Sequence, residues 1–139
     1  MFLEIKNTTI GYQKPLISEV NASLDFGEVC LLIGNNGVGK TTLIKSILHQ
    51  ISTLNGEILI HQKNIEKLTD KEIAEQIAVV FAKSQIPANY TTEDLISLGK
   101  FIHLPFYYQL ENEDVEHVNS IISQLKLEEY RNIQLQKLS

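Results

Sequence analysis

Gly34-Asn35-Asn36-Gly37-Val38-Gly39-Lys40-Thr41-Thr42 (GNNGVGKTT) decides how this 139-residue chain is read. It satisfies G-x-x-x-x-G-K-[ST] in full, the pattern of a loop that wraps phosphate groups. Directly before it runs Val29-Cys30-Leu31-Leu32-Ile33, apolar throughout. Directly after it, Leu43, Ile44, Ile47, Leu48 and Ile51 recur at helical spacing. Strand, loop and helix are therefore predicted in the order that the motif requires.

The residue types follow from the charge of a polyphosphate. Backbone N–H groups can surround it only where side chains stay clear and unusual dihedrals are reachable, which Gly34, Gly37 and Gly39 allow. Asn35, Asn36 and Val38 contribute their main chain to the same loop. A helix starting near Lys40 adds the positive end of its dipole and its unpaired N–H groups. The Lys40 ammonium is expected on the β and γ phosphates as a flexible point charge. Thr41 is expected to hold Mg2+ through its hydroxyl, and Thr42 to lie near the α phosphate.

Outward from the loop, Leu3-Glu4-Ile5-Lys6 alternates weakly. Glu19 to Phe26 alternates fully, with Val20, Ala22, Leu24 and Phe26 on one face. Both read as half-exposed antiparallel strands. Val29 to Ile33 and Ile77 to Phe81 read instead as strands buried on both faces of a parallel sheet, so two sheets or sub-sheets are expected. Asn55-Gly56 predicts a turn ahead of a short strand from Glu57 to His61. Thr69 with Glu72 predicts a capping box opening a helix to about Gln76.

Beyond Phe81 a polar linker with Pro87 leads to Thr91-Thr92-Glu93-Asp94, a second capping box, and a short helix that Gly99 can end. Glu113 and Asp114 mark another helix start. Its apolar stripe is Val115, Val118, Ile121, Ile122 and Leu125, with Lys126 in the last turn. The stripe is expected in a core, and Phe106-Tyr107-Tyr108 is expected to pack on its own helices.

Composition narrows the functions available. One domain's worth of chain carries ordinary apolar content, and seventeen acidic against twelve basic residues give a net charge of −5. No Lys/Arg cluster offers a footprint for nucleic acid or anionic lipid. No apolar run approaches the ~18 residues of a membrane-spanning helix, and Met1 to Asn7 lacks the regions of a signal peptide, so a cytosolic location is expected. Cys30, the single cysteine, reads as a buried packing thiol. His49, His61, His103 and His117 show no metal-ligand spacing.

Tyr12 lies ahead of the alternating strand and of the Gly27-Glu28 turn that lead to the phosphate loop. That order, with GNNGVGKTT, resembles the N-terminal part of an ATP-binding cassette (ABC) transporter ATPase. The resemblance implies that Tyr12 stacks on adenine, an interaction worth about 1 to 3 kcal/mol that tolerates different bases. It extends along the chain. Leu68 to Ala74, Ile77 to Phe81 and Thr91 to Lys100 are similar to the subgroup that energises import of iron-siderophore, haem or cobalamin complexes. The implied fold is α/β, an incomplete P-loop NTPase of ABC type. Residues 1–83 would form a partial ATP-binding core with an antiparallel β subdomain, and 84–139 a linker and helical subdomain.

Two departures from the family pattern bear on the expected activity. Ala82 stands where the family has a glutamine that touches Mg2+ and the attacking water, and a methyl group can do neither. Gln85 is the alternative Mg2+ contact, although a weakened coupling loop is the preferred reading. Lys137-Leu138-Ser139 stands where the family motif LSGGQ begins. The expectation is a fragment that binds MgATP without hydrolysing it and holds no catalytic residue itself, from an ATPase that pairs as a homodimer or pseudo-dimer. Its implied partners are permease subunits, which would hold it on the inner face of the cell membrane. A small P-loop kinase and a non-enzymatic nucleotide-binding module are the competing readings.

Overall fold

A computed structural model describes residues 1–80, 89–100 and 110–138. The chain divides into two compact units, Met1–Ala78 and Val79–Ser139.

The first unit is built on one sheet of four strands. These are β1 (Leu3–Gly11), β2 (Pro15–Leu24), β3 (Asn55–Ile60) and β4 (Lys63–Asn64), in the antiparallel order β2-β1-β3-β4. β1 runs to Gly11 rather than stopping at Lys6, and β2 starts at Pro15 rather than Glu19. Bulges hid both extensions from an alternation count. Between Ile5↔Ala22 and Thr8↔Val20, β1 spends one residue more than β2, and Asn7 takes it up at φ 44. The extra residue keeps Leu3, Ile5, Thr8 and Ile10 on one face, where strict alternation would have turned Thr8 and Ile10 outward. The Asn7 N–H, freed from the ladder, donates to Asn21 Oδ1 at 2.9 Å. Across from it, Gly56 has φ 76, and a Cβ there would stand 2.3 Å from Asn7 O. Asn55-Gly56 is thus part of β3 beside the bulge, not the turn expected. The tight turn of β3 and β4 is His61-Gln62, both left-handed (φ 48 and 65), as a two-residue hairpin demands.

One face of this sheet carries the core. Ile5, Ile10, Ile58 and Ile60 are buried there with Leu43, Ile65 and Ile73, and Phe2, Leu3, Ile17, Val20, Ile47, Leu68 and Ile77 pack around them. Leu43 and Ile47 belong to α1 (Lys40–Ile47), whose apolar side faces β1. α2 (Asp70–Ala74) opens with the expected capping box. Thr69 N–H donates to Glu72 Oε2 at 2.8 Å, and Glu72 N–H to Thr69 Oγ1 at 3.3 Å.

The expected parallel strands are not formed. Val29 to Ile33 has no regular secondary structure, with Val29 97%, Leu31 79% and Ile33 80% exposed, and Cys30 is exposed rather than buried. Of Ile77 to Phe81, the described residues form no strand, and Val80 is 98% exposed. A strand buried on both faces needs ladder partners and two covering layers. Among the described residues every ladder belongs to the antiparallel sheet. An apolar run shows what a segment tolerates, not that its partners are in place.

In the second unit α3 (Thr92–Leu98) and α4 (Asn112–Gln124) pack together. Thr91 and Asp94 cap α3 reciprocally, and Glu111 N–H donates to Asp114 at 3.2 Å at the start of α4. Gly99 follows α3 in a right-handed conformation (φ −60), so it does not use the left-handed freedom expected of it. That role falls to Lys126 after α4, at φ 55, with Leu127 N–H reaching back to Ile122 O. Of the apolar stripe, Val118 and Ile122 are buried, whereas Val115 (41%) and Leu125 (59%) are exposed. Residues 131–135 close over the start of α3. Leu135 N–H bonds Tyr90 O, Thr92 N–H bonds Ile133 O, and Arg131 forks onto both carboxylate oxygens of Glu93. Ala82, Gln85, His103 and Phe106-Tyr107-Tyr108 lie outside the described residues.

Hydrogen bonds from Thr69, Arg131, Thr91 and Lys100 hold the carboxyls of Glu72, Glu93, Asp94 and Asp114 below their ordinary range. A depressed folded-state value means stability present at neutral pH and lost as pH falls through it. Acid titration followed by circular dichroism should show helix loss at low pH, and Asp94→Asn should remove part of that pH dependence. Ser46 Oγ is buried with no hydrogen-bond partner among the described residues. Ser46→Ala should therefore leave stability unchanged or raise it by up to about 1 kcal/mol, whereas Ile10→Ala should cost about 2 to 5 kcal/mol in urea unfolding.

Candidate functional site

The phosphate-loop residues lie between the unpaired apolar run and α1. Gly37 (φ 81) and Gly39 (φ 108) are left-handed, so the two turns that bring the loop onto the helix axis use backbone closed to most side chains. Gly39 is the N-cap residue of α1. Leu43 N–H is the first helical donor satisfied by it, at 2.9 Å to Gly39 O. The N–H groups of Lys40, Thr41 and Thr42 thus precede the first intrahelical donor, and no side chain caps them. No acidic residue stands in that first turn. The helix end is open, positive and aimed at the loop, which suits an anion.

Lys40 supplies a full charge beside these donors. Its Nζ donates to Gly34 O at 2.6 Å and to Asn35 O at 2.8 Å, folding the side chain back across the loop. An ammonium has three donors, and two are spent on carbonyls that fix its direction. Among the described residues no carboxylate pairs with it.

A hollow of about 220 Å³ lies at this point, lined by Leu16, Asn36, Gly37, Gly39, Lys40, Thr41 and Thr42. Thr41 is exposed at its wall, while Thr42 is buried at 8% exposure. The lining therefore unites most of the loop residues that the motif singled out. Gly34, Asn35 and Val38 stand outside it. Gly34 and Asn35 act on it through their carbonyls, and Val38 Cγ1 would stand 3.0 Å from a Cβ at Gly34.

Tyr12 follows β1 in the turn to β2, 67% exposed, and is not part of the lining. The turn itself is tight, since a Cβ on Gly11 would meet Lys14 O at 2.0 Å. Sequence reasoning missed Leu16, which enters the site from the first residues of β2. The signal lay in Leu16-Ile17 before Ser18, but the bulge just beyond them broke the alternation.

The donor set bears on whether a metal fits. No group of three or more His, Cys, Asp or Glu side chains among the described residues could hold an ion. A closed protein cage is thus not built here. One exposed threonine hydroxyl beside an anion site does fit Mg2+, which keeps several waters and is carried largely by phosphate oxygens. Gln85, the other Mg2+ candidate, lies outside the described residues. No helix among the described residues is long and apolar enough to cross a membrane.

The chain is 32% identical over 139 residues to a petrobactin import ATP-binding protein (YclP) of Bacillus subtilis, covering 99% of the chain and 54% of that protein. It is 29% identical over 138 residues to a petrobactin import ATP-binding protein (FpuD) of Bacillus anthracis, covering 99% and 50%. The chain thus spans about half the length of the curated relatives it matches. A solved ATP-binding subunit of an ABC transporter superposes with a TM-score of 0.78 at 24% identity, covering 96% of this chain and 54% of that one, which shows a shared fold. Residues 17–139 match the ABC transporter family, taking in most of β2, the phosphate loop, α1 and the helical unit, and the chain belongs to that family.

Proposed function

We propose that this chain binds MgATP at the Gly34–Thr42 loop, as part of an ATPase subunit that energises import of an iron chelate. The observation that carries the proposal is the pinned ammonium of Lys40 beside the uncapped start of α1. α2 and α3 open with side-chain caps on their own N–H groups. α1 opens with none, and a lysine stands where an acid would be favoured. Such an end is stabilised by an external anion of high charge density, and a triphosphate supplies it.

The roles of the loop follow from this placement. N–H groups of Gly37 to Thr42 surround the phosphates, and Lys40 offsets charge on the β and γ groups. Thr41 is the residue that would hold Mg2+, through its hydroxyl. When bound, Mg2+ draws charge from the phosphate oxygens and fixes their geometry. Tyr12 stacks on the adenine, and its exposed ring is free to do so. The first unit serves as the nucleotide-binding part and the second as the helical subdomain.

The substrate class rests on the relatives, whose names place them in petrobactin import. By the same reading, the chain works at the inner face of the membrane through permease subunits and pairs with a second ATPase subunit. Nucleic acid is no partner, given the net charge of −5 and the lack of a basic patch in the sequence.

Titration with a fluorescent ATP analogue should show Mg2+-dependent saturation. Lys40→Ala should abolish it, and Tyr12→Ala should weaken it roughly five- to hundredfold, as loss of one base–aromatic stack implies. Equal affinity in the Lys40→Ala protein would overturn the assignment.

A further inference from the structure

The junction between the phosphate loop and α1 rests on the start of β2. A Cβ built on Gly39 would stand 2.8 Å from Ile17 Cδ1, 3.0 Å from Ile17 Cγ1 and 3.1 Å from Leu16 Cδ2. Separations this short mean that Gly39 rests directly on the side chains of Ile17 and Leu16, with no room for a side chain of its own. Gly39 is also where the chain turns left-handed into the helix, so the surface it rests on limits where α1 can begin.

Ile17 reaches that place because of a second bulge. Between Thr8↔Val20 and Ile10↔Ile17, β2 spends three steps against two in β1, and Glu19 absorbs the extra residue at φ 56. Plain alternation from Val20 would put Ser18 on the core face. The bulge puts Ile17 there, opposite the fully buried Ile10. A left-handed glutamate is an unfavourable backbone choice, and the sheet retains it.

We propose that Ile17 is a positioning residue for nucleotide binding: its branched end is the stop against which Gly39 sits, and so sets where Lys40 and the first N–H groups of α1 point. The proposal rests on the phosphate-binding reading of Gly34–Thr42. Ile17 does not line the hollow and acts through Gly39. Small displacements of a binding group are costly because donors must meet their acceptors within a few tenths of an ångström, and misplacement by about 1 Å can cost on the order of a hundredfold.

The test compares single-methyl deletions at two core positions in the full chain. Ile17→Val removes the Cδ1 that lies closest to Gly39, while Ile58→Val removes the same group from a residue 1% exposed on β3. With unfolding curves recorded for both, affinity for the fluorescent ATP analogue should fall about threefold in Ile17→Val and about tenfold in Ile17→Ala. Ile58→Val should keep the affinity of the unmodified chain at a similar loss of stability. A double variant, Gly39→Ala with Ile17→Ala, should bind no worse than Gly39→Ala alone, since the truncation makes room for the added methyl. Equal affinity in Ile17→Val and the unmodified chain, or an equal fall in Ile58→Val, overturns the positioning role. Failure of the unmodified chain to bind overturns the phosphate reading and the positioning role together.

Discussion

The N-terminal unit depends on β1 pairing on both sides while keeping one apolar face. A nine-residue strand with no irregularity would turn Thr8 and Ile10 away from the face that meets α1. The extra residue at Asn7 prevents this, and three otherwise loose groups answer to it. Asn21 takes the freed N–H, Gly56 leaves room for the displaced carbonyl, and Thr8 Oγ1, fully buried, donates to the carbonyls of Lys6 and Glu57. The freed N–H and the buried hydroxyl beside the bulge thus both find partners within the protein. Ile5 and Ile10 then meet Leu43 of α1, and the helix that follows the phosphate loop sits on a packed floor.

That floor makes an open helix end tolerable. A helix start without a cap leaves donors to water, which lowers the helix's own stability. α1 offsets this by burying Leu43 and by resting on Leu16 and Ile17, not by local capping. Its donors stay available as a result. α2 and α3 show the opposite arrangement, with reciprocal caps whose carboxylates hold their protons weakly. Charge is therefore placed by role, acids at the starts of structural helices and a lysine at the start of the one facing the hollow.

How far this was legible in the sequence differs between residues. The loop, the start of α1 and both threonine capping boxes were readable because each is a local pattern with one physical meaning. The face shared by Val20, Ala22 and Leu24 was also readable, and it is the face that pairs with Thr8, Ile5 and Leu3. Illegible were the two bulges, since one inserted residue erases alternation and nothing in Asn7 or Glu19 announces it. Leu16 and Ile17 were invisible for the same reason. Val29 to Ile33 misled in another way. Its composition suits a buried strand, but burial depends on neighbours that composition cannot specify. Gly99 and Lys126 show that a helix end is decided by the path of the chain beyond it, so that a glycine goes unused while a lysine takes the left-handed position.

The exposed Cys30 has a practical side. It is the single thiol in the sequence and lies just upstream of Gly34, in a stretch free of ladder hydrogen bonds. A chemical label can thus be attached next to the phosphate loop in the unaltered chain, with no competing sulfhydryl elsewhere. An environment-sensitive dye at that sulfur would watch the same segment acquire or lose neighbours, and would turn an unpaired apolar run into a built-in reporter of assembly.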